Sequence, residues 1–143
     1  MLDLIIKNGK CYIDGQLKDV NISVKDGKIQ KIGQITEDAK DTINATGLIV
    51  LPGCMDTQTH FREPGSTDTE DLHSGSRAAI VGGITSVFEM PNTNPPTSTK
   101  KEFQRKLDLA KNRMYCNYAF YFGATADNAN ELADLKNLEG CCG

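Results

Sequence analysis

The second half of the sequence repeats one order of elements three times: an apolar strand, a polar loop and an amphipathic helix. The strands are predicted at 48–55, 84–90 and 115–123, and the helices over 67–82, 99–114 and 127–137. Thr67 and Glu70 have the spacing of a capping box, and Gly82-Gly83 is typical of a helix end. Repeated β/α units imply a parallel sheet with right-handed crossovers. The predicted fold class is therefore α/β.

Three such units do not decide between two architectures of the sheet. A parallel β/α sheet is either doubly wound or closed into a barrel, and a (β/α)8 barrel needs roughly 250 residues. The 143 residues of this chain are too few to close one. Residues 140–143, which follow the third helix, have the pattern of a fourth strand beginning. We therefore expect the chain to be the N-terminal part of a longer polypeptide.

Residues 1–51 follow a different pattern, in which short strands are joined by tight turns. Asp26-Gly27 lies between two runs of alternating apolar residues, which is a strong short-range signal of a β-hairpin. An antiparallel sheet is predicted, and its main apolar side chains are Ile22, Val24, Ile29 and Ile32. A sheet with so few apolar side chains is small, so we expect residues outside this segment to cover one of its faces.

Composition excludes several classes of function. The net charge of −3 and the isoelectric point near 5.3 give no basic surface for nucleic acid. No segment approaches the roughly 18 apolar residues of a membrane span, and the first residues lack the features of a secretory signal, so a cytoplasmic protein is expected. The five cysteines include no zinc-binding pair spaced by two residues. Cys11, Cys54 and Cys116 lie in apolar runs and are predicted to be buried.

Polar side chains are concentrated where the first two predicted strands of the α/β segment end. Four of them are spaced two residues apart, and two follow the next strand: Asp56, Gln58, His60 and Arg62, and then Asn92 and Asn94. Residues two apart in a strand share a face, so the first four would point the same way if the strand extends that far. The carboxyl ends of parallel strands carry the chemistry in this architecture. A functional site is therefore predicted at this edge.

The order of these residues resembles the amidohydrolase superfamily and, within it, the dihydroorotases. The resemblance rests on Pro52-Gly53, Asp56, His60, the string Arg62-Glu63-Pro64-Gly65, and the segments 74–79 and 82–95. It covers nearly the whole chain. It implies that residues 52–143 are the first three β/α units of a (β/α)8 TIM barrel, and that residues 1–51 are part of a small β-sandwich domain that C-terminal strands complete.

The resemblance also implies roles for individual residues. His60 corresponds to the second histidine of a His-x-His metal-binding pair, and Gln58 occupies the position of the first. Arg62 and Asn92 correspond to residues that bind the substrate carboxylate. The remaining metal ligands and a proton-shuttling Asp follow the third helix in this family, so no catalytic residue is expected within residues 1–143 and the segment alone is predicted to be inactive. Because an amide oxygen is a poor zinc ligand, one or two zinc ions in a weakened site are expected.

Three functions remain open for the intact protein. The first, favoured by Arg62 and the loop around Asn92, is a dihydroorotase, the zinc enzyme of pyrimidine biosynthesis that interconverts dihydroorotate and N-carbamoyl-L-aspartate. The second is a hydantoinase or allantoinase, which opens a related cyclic amide. The third, favoured by Gln58, is a catalytically inactive dihydroorotase-like subunit that serves as a scaffold for aspartate transcarbamoylase. The expected partners are a small-molecule substrate and either a second copy of the chain or aspartate transcarbamoylase.

Overall fold

The computed structural model of the protein describes all residues from Met1 to Gly143. The chain divides into two compact units, Met1–Pro52 and Gly53–Gly143. None of its helices has the length and hydrophobicity that crossing a bilayer requires. The first unit consists of strands and the second of alternating strands and helices.

Unit 1 contains seven strands in two sheets. The strands are β1 (Leu2–Lys7), β2 (Lys10–Ile13), β3 (Gln16–Asp19), β4 (Asn21–Lys25), β5 (Lys28–Gly33), β6 (Ala39–Asn44) and β7 (Ile49–Val50). One sheet has the order β5-β4-β1-β6 and the other has the order β3-β2-β7. Ile5 and Cys11 are almost completely buried, and so form part of the small core of this unit.

The predicted hairpin is present, but the prediction of an antiparallel sheet is only partly right. Asp26 and Gly27 both have positive φ, and they join the antiparallel strands β4 and β5. However, β6 pairs with β1 and β7 pairs with β2 in parallel. Hairpin signals identify strands that are consecutive along the chain, whereas parallel partners are separated by longer connections and leave no local signal. Ile29 and Ile32 are 61% and 46% exposed, so unit 1 leaves an apolar face uncovered.

Unit 2 confirms the α/β fold class. Its elements are β8 (Cys54–Thr59), α1 (Leu72–Val81), β9 (Ile84–Glu89), α2 (Lys100–Ala110), β10 (Asn117–Phe120) and α3 (Ala129–Leu132), followed by a 3-10 turn at Leu135–Asn137. The three strands are parallel and lie in the order β10-β9-β8. Val87 of β9, Leu72 of α1 and Phe103 of α2 are completely buried, so both helices pack on the sheet through apolar side chains.

The ends of the helices confirm some predictions and correct others. Helix α1 begins at Leu72 and not near Thr67, because residues 67–69 form a turn. Its cap is Asp71, whose Oδ1 accepts from Ser74 N at 2.6 Å while Ser74 Oγ accepts from Asp71 N at 3.1 Å. The predicted end at Gly82 is confirmed. The predicted start of α2 is also confirmed, since Thr99 Oγ1 accepts from the backbone N–H of Glu102 at 3.2 Å.

The third predicted helix is shorter than expected. In place of one helix over 127–137, the chain forms a single α-helical turn and then the 3-10 turn. The apolar residues Leu132, Leu135 and Leu138 are spaced by three, which fits the three residues per turn of a 3-10 helix better than an α-helical stripe. Beyond them, Cys141 forms a parallel bridge with Phe120 of β10. The predicted beginning of a fourth parallel strand is therefore supported.

The predicted burial of the cysteines is right at two positions of three. Cys11 and Cys116 are buried, whereas Cys54 is exposed at the start of β8. Cys54 is one of four exposed residues among the six of β8, so this strand is not the buried apolar run that the prediction assumed.

Candidate active site

The candidate site lies at the carboxyl ends of β8 and β9, which are neighbours in the sheet. The backbone N–H of Met90 donates to Thr59 O at 2.9 Å, so the two strands stay paired to their last residues. The loop after β8 and the loop after β9 therefore begin side by side. The polar residues that the sequence places in these two loops are brought to one edge of unit 2.

The predicted alternation from Asp56 to Arg62 is broken by an irregularity in β8. Asp56 pairs with Val87 and Thr59 pairs with Glu89, so two residues of β8 lie between these pairs opposite a single residue of β9. This irregularity removes Asp56 from the regular alternation with Gln58, and Asp56 Oδ1 instead accepts from the backbone N–H of Gln58 at 2.9 Å. The strand ends at Thr59, so Arg62 belongs to the loop. Thr59 is buried, whereas its two neighbours along the chain, Gln58 and the first loop residue His60, are exposed.

His60 and Asn92 are brought into direct contact. The Nδ1–H of His60 donates to Asn92 Oδ1 at 3.0 Å, across 32 positions of sequence. Both side chains are exposed at the edge of the sheet. Because Nδ1 carries the proton in this arrangement, the Nε2 lone pair of His60 is available to a ligand. The contact between a predicted metal-binding residue and a predicted substrate-binding residue makes this edge the centre of the candidate site.

A small polar pocket lies beside this contact. It measures about 110 Å³ and is lined by Arg62, Pro64, Ser66, Asn92, Thr93 and Asn94. The backbone N–H of Asn94 donates to Pro64 O at 2.9 Å, which fastens the second loop to the first. Gly65 has a φ of +126°, and a Cβ on it would lie 2.9 Å from Asn94 Cβ, so a glycine is needed where the loops meet. Arg62 and Asn92, both predicted to bind substrate, thus share one pocket.

Glu63 anchors the first loop in a way that the sequence did not indicate. Its buried carboxylate receives two hydrogen bonds from Arg113, at 2.8 and 3.0 Å, and a third from the backbone N–H of Leu72 at 3.0 Å. Glu63 raises the pKa of the Arg113 guanidinium by this pairing. The bond to Leu72 N also satisfies an otherwise unpaired donor at the start of α1. Residue 63 therefore holds the loop that carries Arg62.

A second buried pair lies beneath the other loop. Glu89, the last residue of β9, and Lys106 of α2 form an ion pair in which both side chains are completely buried. Burial raises the pKa of Glu89 to about 7, although the attraction of Lys106 opposes this change. The same burial lowers the pKa of Lys106. Only the spacing of Lys106 on the apolar stripe of α2, three residues after Phe103, could have indicated its burial in advance.

The residues of the chain do not form a metal site by themselves. No group of three or more His, Cys, Asp or Glu side chains among residues 1–143 is placed to hold a metal ion. His60 offers one imidazole nitrogen, and the neighbouring position carries the neutral amide of Gln58. A catalytic zinc site usually needs three protein ligands of stronger kinds. The polar groups that the site does present, in the side chains of His60, Arg62 and Asn92, can form hydrogen bonds with a small polar ligand.

Comparison with known proteins identifies the family. Residues 49–140 match the model of the amidohydrolase family, and the chain belongs to that family. An allantoinase of Escherichia coli O1:K1 is 43% identical over 137 residues, which are 95% of this chain and 30% of that protein. An allantoinase of Salmonella choleraesuis is 42% identical over the same length and the same shares. This chain thus spans about 30% of the length of these relatives.

Solved structures agree with this assignment. The L-hydantoinase (dihydropyrimidinase) from Arthrobacter aurescens matches with a TM-score of 0.86 and 33% identity, over 96% of this chain and 31% of that one. The predicted resemblance to the amidohydrolase superfamily is confirmed. The relatives are allantoinases and hydantoinases, so the comparisons support the predicted alternative better than dihydroorotase.

Proposed function

We propose that the protein is a cyclic amidohydrolase of the allantoinase and hydantoinase type, which hydrolyses an amide C–N bond within a ring. The observation that carries this proposal is the 43% identity with an allantoinase over 95% of the chain. The match to L-hydantoinase at a TM-score of 0.86 supports the same class of substrate. Residues 52–143 would then supply the first three β/α units of a (β/α)8 barrel, and residues 1–51 part of a β-sandwich domain.

In this proposal the residues of the chain bind and orient the substrate. The pocket beside Arg62 has a guanidinium fork and the side chains of Asn92 and Asn94 on its walls. These groups suit the carbonyl, ureido or carboxylate oxygens of a small polar ring, because guanidinium and amide N–H groups are strong donors to such oxygens. Asn92 is already oriented through its Oδ1 by His60, which leaves its Nδ2 free to donate.

Zinc is the metal that the resemblance implies, and this chain would contribute little to it. His60 Nε2 is the one imidazole nitrogen at the site, and Gln58 presents an amide where the family pattern has a second imidazole. The other ligands would have to come from outside residues 1–143. We therefore propose a weakened metal site, and assign to this chain the binding of substrate.

Dihydroorotase is the second candidate, and one observation favours it. The pocket presents the guanidinium of Arg62 beside the side-chain amides of Asn92 and Asn94, a set of donors that suits a carboxylate group. A free carboxylate distinguishes dihydroorotate from the unsubstituted hydantoin ring. Arg62 would bind it through two parallel N–H donors.

The deciding experiment compares three substrates with the protein expressed at its full natural length and loaded with zinc. Ring opening of allantoin, hydantoin and dihydroorotate is followed by ultraviolet absorbance. We expect turnover of allantoin or hydantoin at a kcat/KM at least about tenfold above that for dihydroorotate. The reverse order would establish the second candidate.

The variant Gln58→His separates a wrong substrate from an impaired site. If the wild-type protein opens none of the three rings and Gln58→His opens one, the wild-type protein belongs to the inactive class. A pull-down with aspartate transcarbamoylase then tests the predicted scaffold role, and light scattering tests the predicted homodimer. Inactivity of both proteins toward all three rings would contradict the proposal.

A further inference from the structure

The buried pair Lys106–Glu89 does more than join α2 to β9. Besides its ion pair with Glu89, the ammonium of Lys106 donates to Met90 O at 3.1 Å and to Thr97 Oγ1 at 3.3 Å. Its Nζ also lies 5.3 Å from the centre of the Phe120 ring, where a cation is attracted to the aromatic face. One buried cation therefore contacts the end of one strand, a ring of the next strand and residue 97.

Met90 and Thr97 are the two ends of the loop that carries Asn92. The backbone N–H of Thr97 donates to Pro91 O at 2.9 Å, so the loop is closed on itself. Thr97 Oγ1 also contacts Thr93 Oγ1 at 3.3 Å, inside the loop. Lys106 thus forms hydrogen bonds with both ends of a closed loop. These bonds restrict the movement of residues 91–97.

The opposite side of this loop faces the candidate site. Asn92 accepts a hydrogen bond from His60, and the backbone N–H of Asn94 donates to Pro64 O. The loop is therefore held between the substrate pocket and Lys106. The carboxylate oxygens of Glu89 have no hydrogen-bond partner, and Lys106 is their ion-pair partner, so the carboxylate helps to hold the buried ammonium in place.

We propose that Lys106 and Glu89 are positioning residues that hold the loop 91–97 so that Asn92 and Asn94 face the substrate. The proposal rests on the proposed function for its effect on substrate binding. It does not rest on it for the order of the loop, which is measured separately. A purely structural role, in which the pair only adds to the stability of α2 on the sheet, is the outcome that the experiment must distinguish.

Three variants of the protein at its full natural length make this distinction. Lys106→Met removes the cation and leaves Glu89 buried without a partner, which is expected to destabilise the protein strongly. The double variant Lys106→Met with Glu89→Gln removes both charges and keeps the volume, so it is expected to fold. Phe103→Leu, in the same helix, lowers stability through a smaller core side chain and touches no loop contact.

Hydrogen exchange is the first measurement, because it does not depend on activity. In the double variant the amides of Asn94 and Thr97 are expected to exchange about tenfold faster, while those of Val87 and Phe88 in β9 stay within about twofold, since the lost hydrogen bonds act on the loop. In Phe103→Leu the loop amides are expected to change no more than the β9 amides. Unchanged exchange at Asn94 and Thr97 in the double variant would overturn the proposal.

Kinetics with the preferred cyclic amide is the second measurement. We expect the double variant to raise KM about tenfold with kcat within about threefold, because Asn92 and Asn94 bind the ring before it reacts. Phe103→Leu is expected to leave both constants within about twofold. A KM that follows thermal stability across all variants would overturn the positioning role. If no cyclic amide is hydrolysed by any of these proteins, the proposed function fails while the exchange result still decides the role of Lys106.

Discussion

Gln58 is the position at which the sequence departs from the His-x-His pair that its resemblance implies. Its side chain is exposed at the end of β8, and its backbone N–H is bound by Asp56 Oδ1 at 2.9 Å. A histidine at this position would meet no packing obstacle, because the side chain is not enclosed. We therefore expect a substitution at this position to alter ligand binding and to leave folding largely unchanged.

Gln58→His is expected to raise the affinity of the protein for zinc by at least about tenfold, because an imidazole nitrogen replaces a weak amide oxygen beside His60. Affinity is measured on the protein at its full natural length by competition with a chromogenic chelator. Thr57→His, which adds the same imidazole at the neighbouring exposed position, is the matched control and is expected to change affinity by less than about threefold. Equal gains in both variants would show that position 58 is not a ligand position.

The guanidinium of Arg62 can be tested as a donor to the substrate. Arg62→Lys keeps the positive charge and loses the two-pronged guanidinium donor, whereas Arg62→Met loses both. For dihydroorotate we expect KM to rise by about ten- to a hundredfold in Arg62→Met and by less in Arg62→Lys, since one charge-assisted interaction is removed. For hydantoin, which has no carboxylate, we expect a smaller rise in KM, because the guanidinium then donates only to neutral carbonyl oxygens. An equal loss for both rings would mean that Arg62 does not distinguish a carboxylate from a neutral carbonyl oxygen.

At the scale of elements, two short loops are held to the same edge of the sheet by different means. The loop after β8 is fixed by Glu63, which binds both α1 and the segment after α2. The loop after β9 is fixed by Lys106 from α2. Helix α2 and the residues that follow it thus support both sides of the pocket. A site on loops gains its order from these buried charges, since the loops contain no regular structure.

Arg113→Met tests the first of these supports. It leaves the buried Glu63 carboxylate with Leu72 N as its remaining donor, so we expect the free energy of unfolding to fall by about 1–3 kcal/mol. Urea denaturation of the protein at its full natural length measures the change. Lys100→Met, which removes the exposed pair with Asp134 at 3.8 Å, is the control and is expected to cost less than about 0.5 kcal/mol. Equal decreases in the free energy of unfolding for the two variants would show that the pair of Glu63 with Arg113 stabilises the protein no more than an exposed ion pair does.

The positions of helix ends could be predicted from the sequence only where the signal is local. Thr99 with Glu102 and Gly82 were identified correctly, because each sits directly at the boundary of an apolar stripe. For α1, two capping patterns overlap within a few residues, and the one at Asp71 prevails. Glu63 explains this choice, since its carboxylate binds Leu72 N and fixes the helix start there. That contact spans nine positions and lies outside any local pattern.

For the whole molecule, the order of strands and helices and the edge that carries the site could be predicted, whereas the buried ion pairs that support the site could not. The α/β order follows from local periodicity, and it places His60 and Asn92 at neighbouring strand ends. Glu63 and Arg113 are separated by 50 residues, and nothing in either segment indicates the other. The irregularity in β8 likewise depends on its register with β9, so the alternation predicted from Asp56 was too simple.

We expect the buried pair to make the free energy of unfolding of the whole molecule depend on pH. Glu89 ionises near pH 4.5 in an unfolded chain and near 7 in the folded one, so the folded state holds an additional proton between these values. The favourable contribution is complete below about pH 4.5 and is lost as the pH rises to 7, by up to about 3 kcal/mol. The positive charges of Lys106 and Arg62 oppose this increase in the pKa of Glu89. Burial, and more weakly the negative charge of Glu89, raises the pKa of the Cys142 thiol.

Denaturation midpoints at pH 5 and pH 7.5 measure this signature. We expect the wild-type protein to lose stability over this interval relative to the double variant Lys106→Met with Glu89→Gln, in which neither position titrates. Burial also lowers the pKa of Lys106, and the double variant removes both titrating groups, so the difference between the two proteins reports on the buried pair as a whole. Parallel profiles for the two proteins would mean that Lys106 keeps Glu89 ionised throughout. In that case the loop 91–97 would be held equally at both pH values, and a KM measured across the same interval would not change on account of this pair.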